Sequence, residues 1–398
     1  MKNKKIVPII VSVIAMLSVI CISSFTREKP PKKQNDIDNI AALSSKATAD
    51  TPESDEEMRG VWVSYMELSM ENESSKTQKA FEDKFTEIAQ KCRESGFNTL
   101  IVQVRPFCDA LYKSGYFPWS HILTGTQGEN PQYDALQIMC NICKENNLKI
   151  HAWINPYRVS PNETPKKLSD NNPYIKNSEI GIKTDNGIFL DPSNETAQQL
   201  ICDGVKEIAE NYDVDGIQFD DYFYPTEDES FDKKQYEAYI EKYGKENCMS
   251  LDNWRMQNVN TLICKVYRTI KSVDSSVEFG ISPQGNIGNN DGLYADVKSW
   301  CTCKGFADYI CPQIYFSLEN PALDFDENVK LYVGLGGYKA GNGEYDEETW
   351  LLSDSILADE YDILRNNKSV RGFMLYSYNS LEDDTAKKEI NNLINALN

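Results

Sequence analysis

Residues 214–225 read "VDGIQFDDYFYP". A short apolar alternation ends abruptly in two adjacent carboxylates. Successive side chains of a strand point to opposite faces. Ile217 and Phe219 share one face; Gln218 and Asp220 share the other, with Gly216 below them. If the apolar face packs against helices, Gln218 and Asp220 look into the inside of a closed sheet. Asp221 then falls on the outer face, directed towards the wall.

Seven further runs have the same character: "RGVWVSY" (59–65), "NTLIVQVRP" (98–106), "LKIHAWINP" (148–156), "VEFGISPQ" (277–284), "DYICPQIYF" (308–316), "LYVGLGGY" (331–338) and "RGFMLYSY" (371–378). Segments of helical period separate most of them, such as residues 79–96, 134–147, 195–212 and 253–273. Eight strand–helix units predict a (β/α)8 TIM barrel over residues 58–398. A doubly wound sheet is the fallback, but no Gly-rich phosphate turn follows the first strand. Long loops are expected after the second strand (107–131) and the third (157–195), at the C-terminal mouth where barrels build their sites.

The same parity sorts the other strands. Gln103 and Arg105 face in opposite Leu100, Val102 and Val104. His151, Trp153 and Asn155 face in, as do Ser282 and Gln284, Gln313 and Tyr315, and Tyr376 and Tyr378. Arg105, Asn155, Asp220, Gln284, Tyr315 and Tyr376 therefore converge on one mouth. Burying such groups is unfavourable unless they pair or bind something.

Composition narrows the chemistry. The chain carries 61 acidic against 41 basic residues, a formal net charge of −20. That balance argues against a nucleic-acid partner, which needs clustered Lys and Arg. Only two histidines occur, His121 and His151. They exclude a His-rich zinc centre and argue against a Ser-His-Asp triad or an Asp/His metal deacetylase. No phosphate loop is present, and no metal or cofactor is expected. Carboxylates, amides and aromatic rings remain, which is equipment for sugars.

Asp220 is the central catalytic candidate. Its partner is Glu67, Asp221 or Asp109. The expected substrate-binding set is Arg105, Asp109, His151, Asn155, Tyr157, Arg158, Gln218, Tyr222, Gln284, Gln313, Tyr315 and Tyr376. Trp62 and Trp153 read as packing residues.

The N-terminus reads as a targeting segment. Lys2, Lys4 and Lys5 precede the apolar run "IVPIIVSVIAMLSVICISSF", so residues 1–25 are a signal peptide or an uncleaved membrane anchor. Residues 26–57 are polar and aperiodic, a disordered linker. The expected location is the extracellular face of the cell envelope, with membrane contact through the N-terminal segment if it is retained. A monomer is the default. Ten of the 11 cysteines follow the export segment and are expected to be free, mostly buried thiols.

The motifs "RGVWVSYMELS", "FNTLIVQVRPFCDALYKSGYFPWS", "HAWINPYRV", "DGIQFDDYFYP", "ISPQGN" and "GFMLYSY" occur in order across 59–381. Together they resemble glycosyl hydrolase-like family 10, whose members are exported bacterial (β/α)8 proteins. Some are implicated in cleaving peptidoglycan glycan strands that lack stem peptides, so the resemblance implies a glycosidase on cell-wall amino-sugar glycan. The alternatives are a non-catalytic glycan-binding barrel and an α-glucan-type glycosidase. "DGIQFD" also resembles the fourth-strand motif of alpha-amylase-type barrels, whose last Asp, here Asp220, is the nucleophile. Gln218 replaces the arginine of that motif, and Gln284 ends the fifth strand where a glutamate is expected. In the DGxxxDxE pattern of chitinase-type barrels, Tyr222 takes the place of the acid. That argues against a substrate-assisted chitinase mechanism.

Overall fold

Alternation closes the sheet as expected. A computed structural model describes residues 56–315, 329–345 and 349–398. The targeting segment 1–25 and all but two residues of the linker 26–57 lie outside them. The strands are β1 (Met58–Val63), β2 (Thr99–Arg105), β3 (Lys149–Ile154), β4 (Arg158–Pro161), β5 (Gly181–Thr184) and β6 (Gly187–Leu190), then β7 (Gly216–Phe219), β8 (Glu278–Ile281), β9 (Tyr309–Ile310), β10 (Lys330–Leu335) and β11 (Val370–Tyr376). Eight form a closed barrel in the order β1-β11-β10-β9-β8-β7-β3-β2, and every pair is parallel. β1 pairs with both β2 and β11, which excludes the open doubly wound sheet.

The two faces of the strands feed two separate cores. Leu100, Val102, Ile150, Ala152, Ile154, Ile217, Phe219, Phe279, Ile281, Phe373 and Leu375 join the core between barrel and helices. Met58, Trp62, Ile101, Trp153, Tyr309, Cys311, Tyr332 and Met374 fill the interior. Interior filling explains two glycines. A Cβ on Gly280 would stand 1.9 Å from the Tyr309 ring, and one on Gly216 would stand 2.6 Å from the His151 ring. Several polar groups inside bond to one another. Trp62 Nε1 donates to Gln218 Oε1 at 2.6 Å, Gln218 Nε2 donates to the Tyr309 hydroxyl at 3.3 Å, and that hydroxyl lies 2.9 Å from His151 Nδ1.

Side-chain caps set where the helices begin. Asn194 accepts from the amides of Thr196 and Ala197 at the start of helix Glu195–Asn211. Asp134 and Ser250 do the same for helices Ala135–Glu145 and Leu251–Val273. Each satisfies amides that the first turn leaves unpaired.

Three local features depart from expectation. β9 is two residues long, and beyond it only isolated bridges join Gln313 to Gln284 and to Gly334. Pro283 and Pro312 each lack an amide proton for a longer ladder. The loop 157–195 is folded, with β4, β6 and β5 forming a small antiparallel sheet. Tyr378 packs in the outer core, because the chain turns into helix Asn379–Glu382 directly after β11. The ten cysteines among the described residues are unpaired, and eight are buried.

Candidate active site

The site gathers where the barrel strands end. Asp220 is the first residue beyond β7 and keeps its inward parity. Trp153 Nε1 donates to its Oδ2 at 3.0 Å, Asn155 Nδ2 donates to the same oxygen, and the Tyr222 amide approaches Oδ1 at 3.3 Å. Asn155 is itself fixed, since its Oδ1 accepts from Gln103 Nε2 at 2.6 Å and Gln103 Oε1 accepts from the Tyr65 amide. A relay of amides from β2 and β3 thus orients one carboxylate. Burial pushes the Asp220 carboxyl up to about 7; the Arg158 charge opposes the rise and the Asp221 charge adds to it.

Asp221 also faces the pocket, contrary to the parity reading. β7 ends at Phe219, so strict alternation stops before residue 221. Gln313 Nε2 donates to Asp221 Oδ1 at 2.9 Å, and Gln284 Nε2 donates to Oδ2. Burial raises its pKa too, while these two amides hold it down. Adjacent buried acids titrate as a pair, and with Asp220 raised to about 7 a proton is taken up below that pH. The kcat/KM of the enzyme should therefore fall above about pH 7, as that proton is lost from the free protein. A pH–rate profile checks this, and full kcat/KM maintained to pH 9 would contradict it.

Aromatic rings make the walls. A cavity of about 180 Å³ is lined by Trp62, Trp153, Asp220, Asp221, Tyr222, Ser282, Gln313, Tyr315, Tyr338 and Tyr376. Tyr376 meets Trp62, Tyr315 and Tyr338 at centroid distances of 6.0, 5.9 and 6.0 Å. Arg158, at the start of β4, lies 3.7 Å over the Tyr222 ring at the rim. The loops 107–131 and 157–195 contribute no residue to this lining; the strand ends do. A larger depression of about 490 Å³ lies outside the barrel, between helices Gln78–Glu94 and Ala135–Glu145, and holds no such tethered pair. Among the described residues no group of three or more His, Cys, Asp or Glu is placed to hold a metal ion.

Of the expected residues, Asp220, Asp221, Tyr222, Gln313, Tyr315 and Tyr376 line the cavity, and Asn155 and Gln284 hold the two acids. The others are placed elsewhere. Glu67 is the third residue of a capping box. Its Oε2 accepts from the Ser64 amide at 2.8 Å and from the Ser64 hydroxyl, and its Oε1 accepts from Ser377 Oγ at 2.7 Å. Glu67→Gln should keep saccharide release within about threefold of wild type while lowering stability by ~1 kcal/mol. Denaturant unfolding beside a reducing-end assay tests both halves.

Arg105 does not reach the mouth. A register shift between Gln103 and Arg105 pairs it with the outward-facing Ile154, so it points towards helix Glu195–Asn211 and lies 4.5 Å over the Phe117 ring. One extra residue in a strand reverses the facing of the residues beyond it. Asp109 is buried against Gln127, at 2.9 Å, and His121, at 3.3 Å. Tyr157 is buried beside Asp191 and Cys202. His151 and Gln218 face in as expected but sit below the pocket, in the packed interior.

Trp62 and Trp153, read as packing residues, do line the cavity, and Trp153 donates to Asp220. Their inward parity was the available signal. Ser282 carried the same signal, whereas Tyr338 lies beyond the end of β10, where alternation gives none.

A sequence profile described as Glycosyl hydrolase-like 10 matches residues 57–350. Glycosyl hydrolase YngK of Bacillus subtilis (strain 168) is 35% identical, with 73% of this chain and 62% of YngK covered. Glycosyl hydrolase DigH of Escherichia coli (strain K12) is 31% identical, with 98% of each chain covered. Among solved structures, the catalytic domain of beta-amylase from Paenibacillus polymyxa superposes with a TM-score of 0.53 at 13% identity, covering 86% of this chain and 98% of that one. At that identity the likeness concerns the barrel fold alone.

Proposed function

The chain belongs to the glycosyl hydrolase-like 10 family, and from that premise we propose that it is a glycoside hydrolase acting on an amino-sugar glycan of the cell wall. The observation that carries this reading is the tethered pair Asp220 and Asp221 at the base of an aromatic-walled cavity. Glycoside cleavage needs a proton for the leaving oxygen and negative charge near the anomeric carbon. A buried carboxyl of raised pKa beside a second carboxylate can supply both. Tyrosine and tryptophan rings offer stacking faces for pyranose, and Gln313 and the Ser282 hydroxyl offer hydrogen bonds to its substituents.

Peptidoglycan strands without stem peptides are the favoured substrate. Without the stem peptide their sugars bring less bulk to the mouth, and Arg158, over the Tyr222 ring at the rim, offers a cation for the lactyl carboxylate of muramic acid. Export by residues 1–25 would bring the domain to that polymer on the outer side of the membrane, as a secreted or anchored enzyme.

The test is direct. The purified protein is incubated with denuded peptidoglycan, chitin and an α-glucan, and released saccharides are identified by mass spectrometry. Release from the denuded glycan is expected. Binding without release from any of the three would make this a glycan-binding barrel instead.

A further inference from the structure

We propose that the row of tyrosines on helix Lys233–Tyr243 is a second glycan-binding site, which holds a stretch of the same strand outside the catalytic cavity. This rests on the amino-sugar glycosidase reading above and goes beyond it by adding a site that the cavity does not contain.

The first ground is how the helix is held. None of its 11 residues is buried. A helix of that length is marginal on its own in water, so contacts outside the core have to fix it. Tyr236, Tyr239 and Tyr243 fall at i, i+3 and i+7, on one face. The Tyr236 and Tyr239 rings stack at 6.1 Å, and the Tyr239 and Tyr243 rings meet at 5.3 Å. Trp254, in the first turn of helix Leu251–Val273, backs Tyr236 at 5.3 Å and Tyr239 at 5.9 Å. The Tyr236 hydroxyl donates to the Met249 carbonyl at 2.7 Å, and the Met249 amide donates to the Tyr239 hydroxyl at 3.2 Å. The rings therefore stand in fixed places, and the row ends in Tyr243, which is 51% exposed. A rigid aromatic face binds a sugar without first having to be ordered.

The second ground is where the row stands. Its helix lies in the connection that leaves β7 directly after Asp220 and Asp221 and leads to helix Leu251–Val273. In a parallel barrel that connection starts at the mouth, and the helix returning towards β8 begins there. Arg255 fixes the base of this arm. It donates to the carbonyls of Glu227 and Asp228 and pairs with Asp232, the residue before the helix. The row is thus on the side of the barrel from which a linear glycan has to enter and leave.

The third ground is charge. The chain carries a net −20, and a glycan of muramic acid bears a carboxylate on every such sugar. Residues 233–247 run against that balance, with four exposed lysines (233, 234, 242 and 245) against three exposed glutamates. Lys242 Nζ lies 5.0 Å over the Tyr243 ring. Arg158 and Tyr222, also 51% exposed, make the same pairing at the rim of the cavity. A pyranose with an acidic substituent suits both places, its ring against tyrosine and its carboxylate near the cation. A lipid surface would call for Leu, Phe or Trp, and the helix contains none.

The test compares polymeric denuded glycan with a tetrasaccharide cut from it. For Tyr243→Ala, KM on the polymer is expected to rise about fivefold with kcat unchanged, while both constants on the tetrasaccharide stay within about twofold of wild type. Tyr243→Trp keeps a stacking face and should keep the wild-type KM on both. An unchanged KM on the polymer, an equal loss on polymer and tetrasaccharide, or a Trp variant as weak as the Ala variant overturns the proposal. Release by the wild type from neither substrate overturns the glycosidase reading instead. Co-sedimentation with the insoluble polymer then decides the row by itself: weaker retention of Tyr243→Ala supports it, and retention equal to wild type overturns it.

Discussion

Asp220→Asn is expected to yield a protein that folds, binds glycan and releases saccharide at least ~10³-fold more slowly than wild type. The same substitution should raise stability. Burial holds the folded-state carboxyl near 7, against 3.8 for the group in its ordinary state. Between those values the unfolded chain gives up its proton while the folded protein keeps it, so stability falls as pH rises from about 4 to about 7. Above 7 the whole penalty stands, and Asn removes it. The gain at pH 8 is on the order of 2–3 kcal/mol, some of it shared with Asp221, and it should vanish near pH 4. Thermal melts of both proteins at pH 4.5 and pH 8, beside a reducing-end assay, check the two halves together. An inactive variant that is less stable at pH 8 would mean that Asp220 is a structural anion and not a catalytic one.

Arg255→Met should cause the largest loss of stability. Arg255 lies in helix Leu251–Val273, and both it and Asp232 are fully buried. Its Nε lies 3.0 Å from both Asp232 oxygens, Nη1 donates to the Tyr294 hydroxyl at 2.7 Å and to the Glu227 carbonyl at 3.1 Å, and Nη2 donates to the Asp228 carbonyl at 2.8 Å. Removing the cation leaves Asp232 charged and buried, which typically destabilises by about 3–5 kcal/mol. A melting temperature lower by roughly 10 °C is expected. The double variant Arg255→Met/Asp232→Leu should recover much of it, because no charge is then stranded. Calorimetry on the single and double variants decides this, and a single variant that melts with wild type would show the pair to be dispensable. Activity should fall with the single variant as well, since the segment it pins is the continuation of the strand that carries Asp220 and Asp221.

Alternation made the barrel legible. Eight runs with one apolar face favoured a barrel over a doubly wound sheet, and the same parity correctly put Gln103, Asn155, Asp220, Gln313, Tyr315 and Tyr376 inside. It failed where the chain stopped being a regular strand. The register shift after Gln103 turned Arg105 outward, and nothing in "VQVRP" announces it. β7 ended one residue before Asp220, which freed Asp221 from the outer face. Glu67 misled because proximity to a strand end is not direction; "SYME" is a capping box, and its hydrogen bonds engage the carboxylate. Trp153 was undervalued on composition, since a buried indole reads as packing until its N–H is found on a carboxylate.

The two acids sit on neighbouring α-carbons, about 3.8 Å apart across one peptide unit. That backbone spacing is fixed by covalent geometry, while the direction of each carboxylate is set by the side chains that hold it, Trp153 and Asn155 for Asp220 and Gln284 and Gln313 for Asp221. Acids carried on different strands drift apart when a barrel loosens; the backbone of this pair stays together. Mild heating or low denaturant should first spoil the grip of the aromatic wall on sugar. KM should climb while turnover of bound substrate persists, and the chemistry should fail only when the fold does.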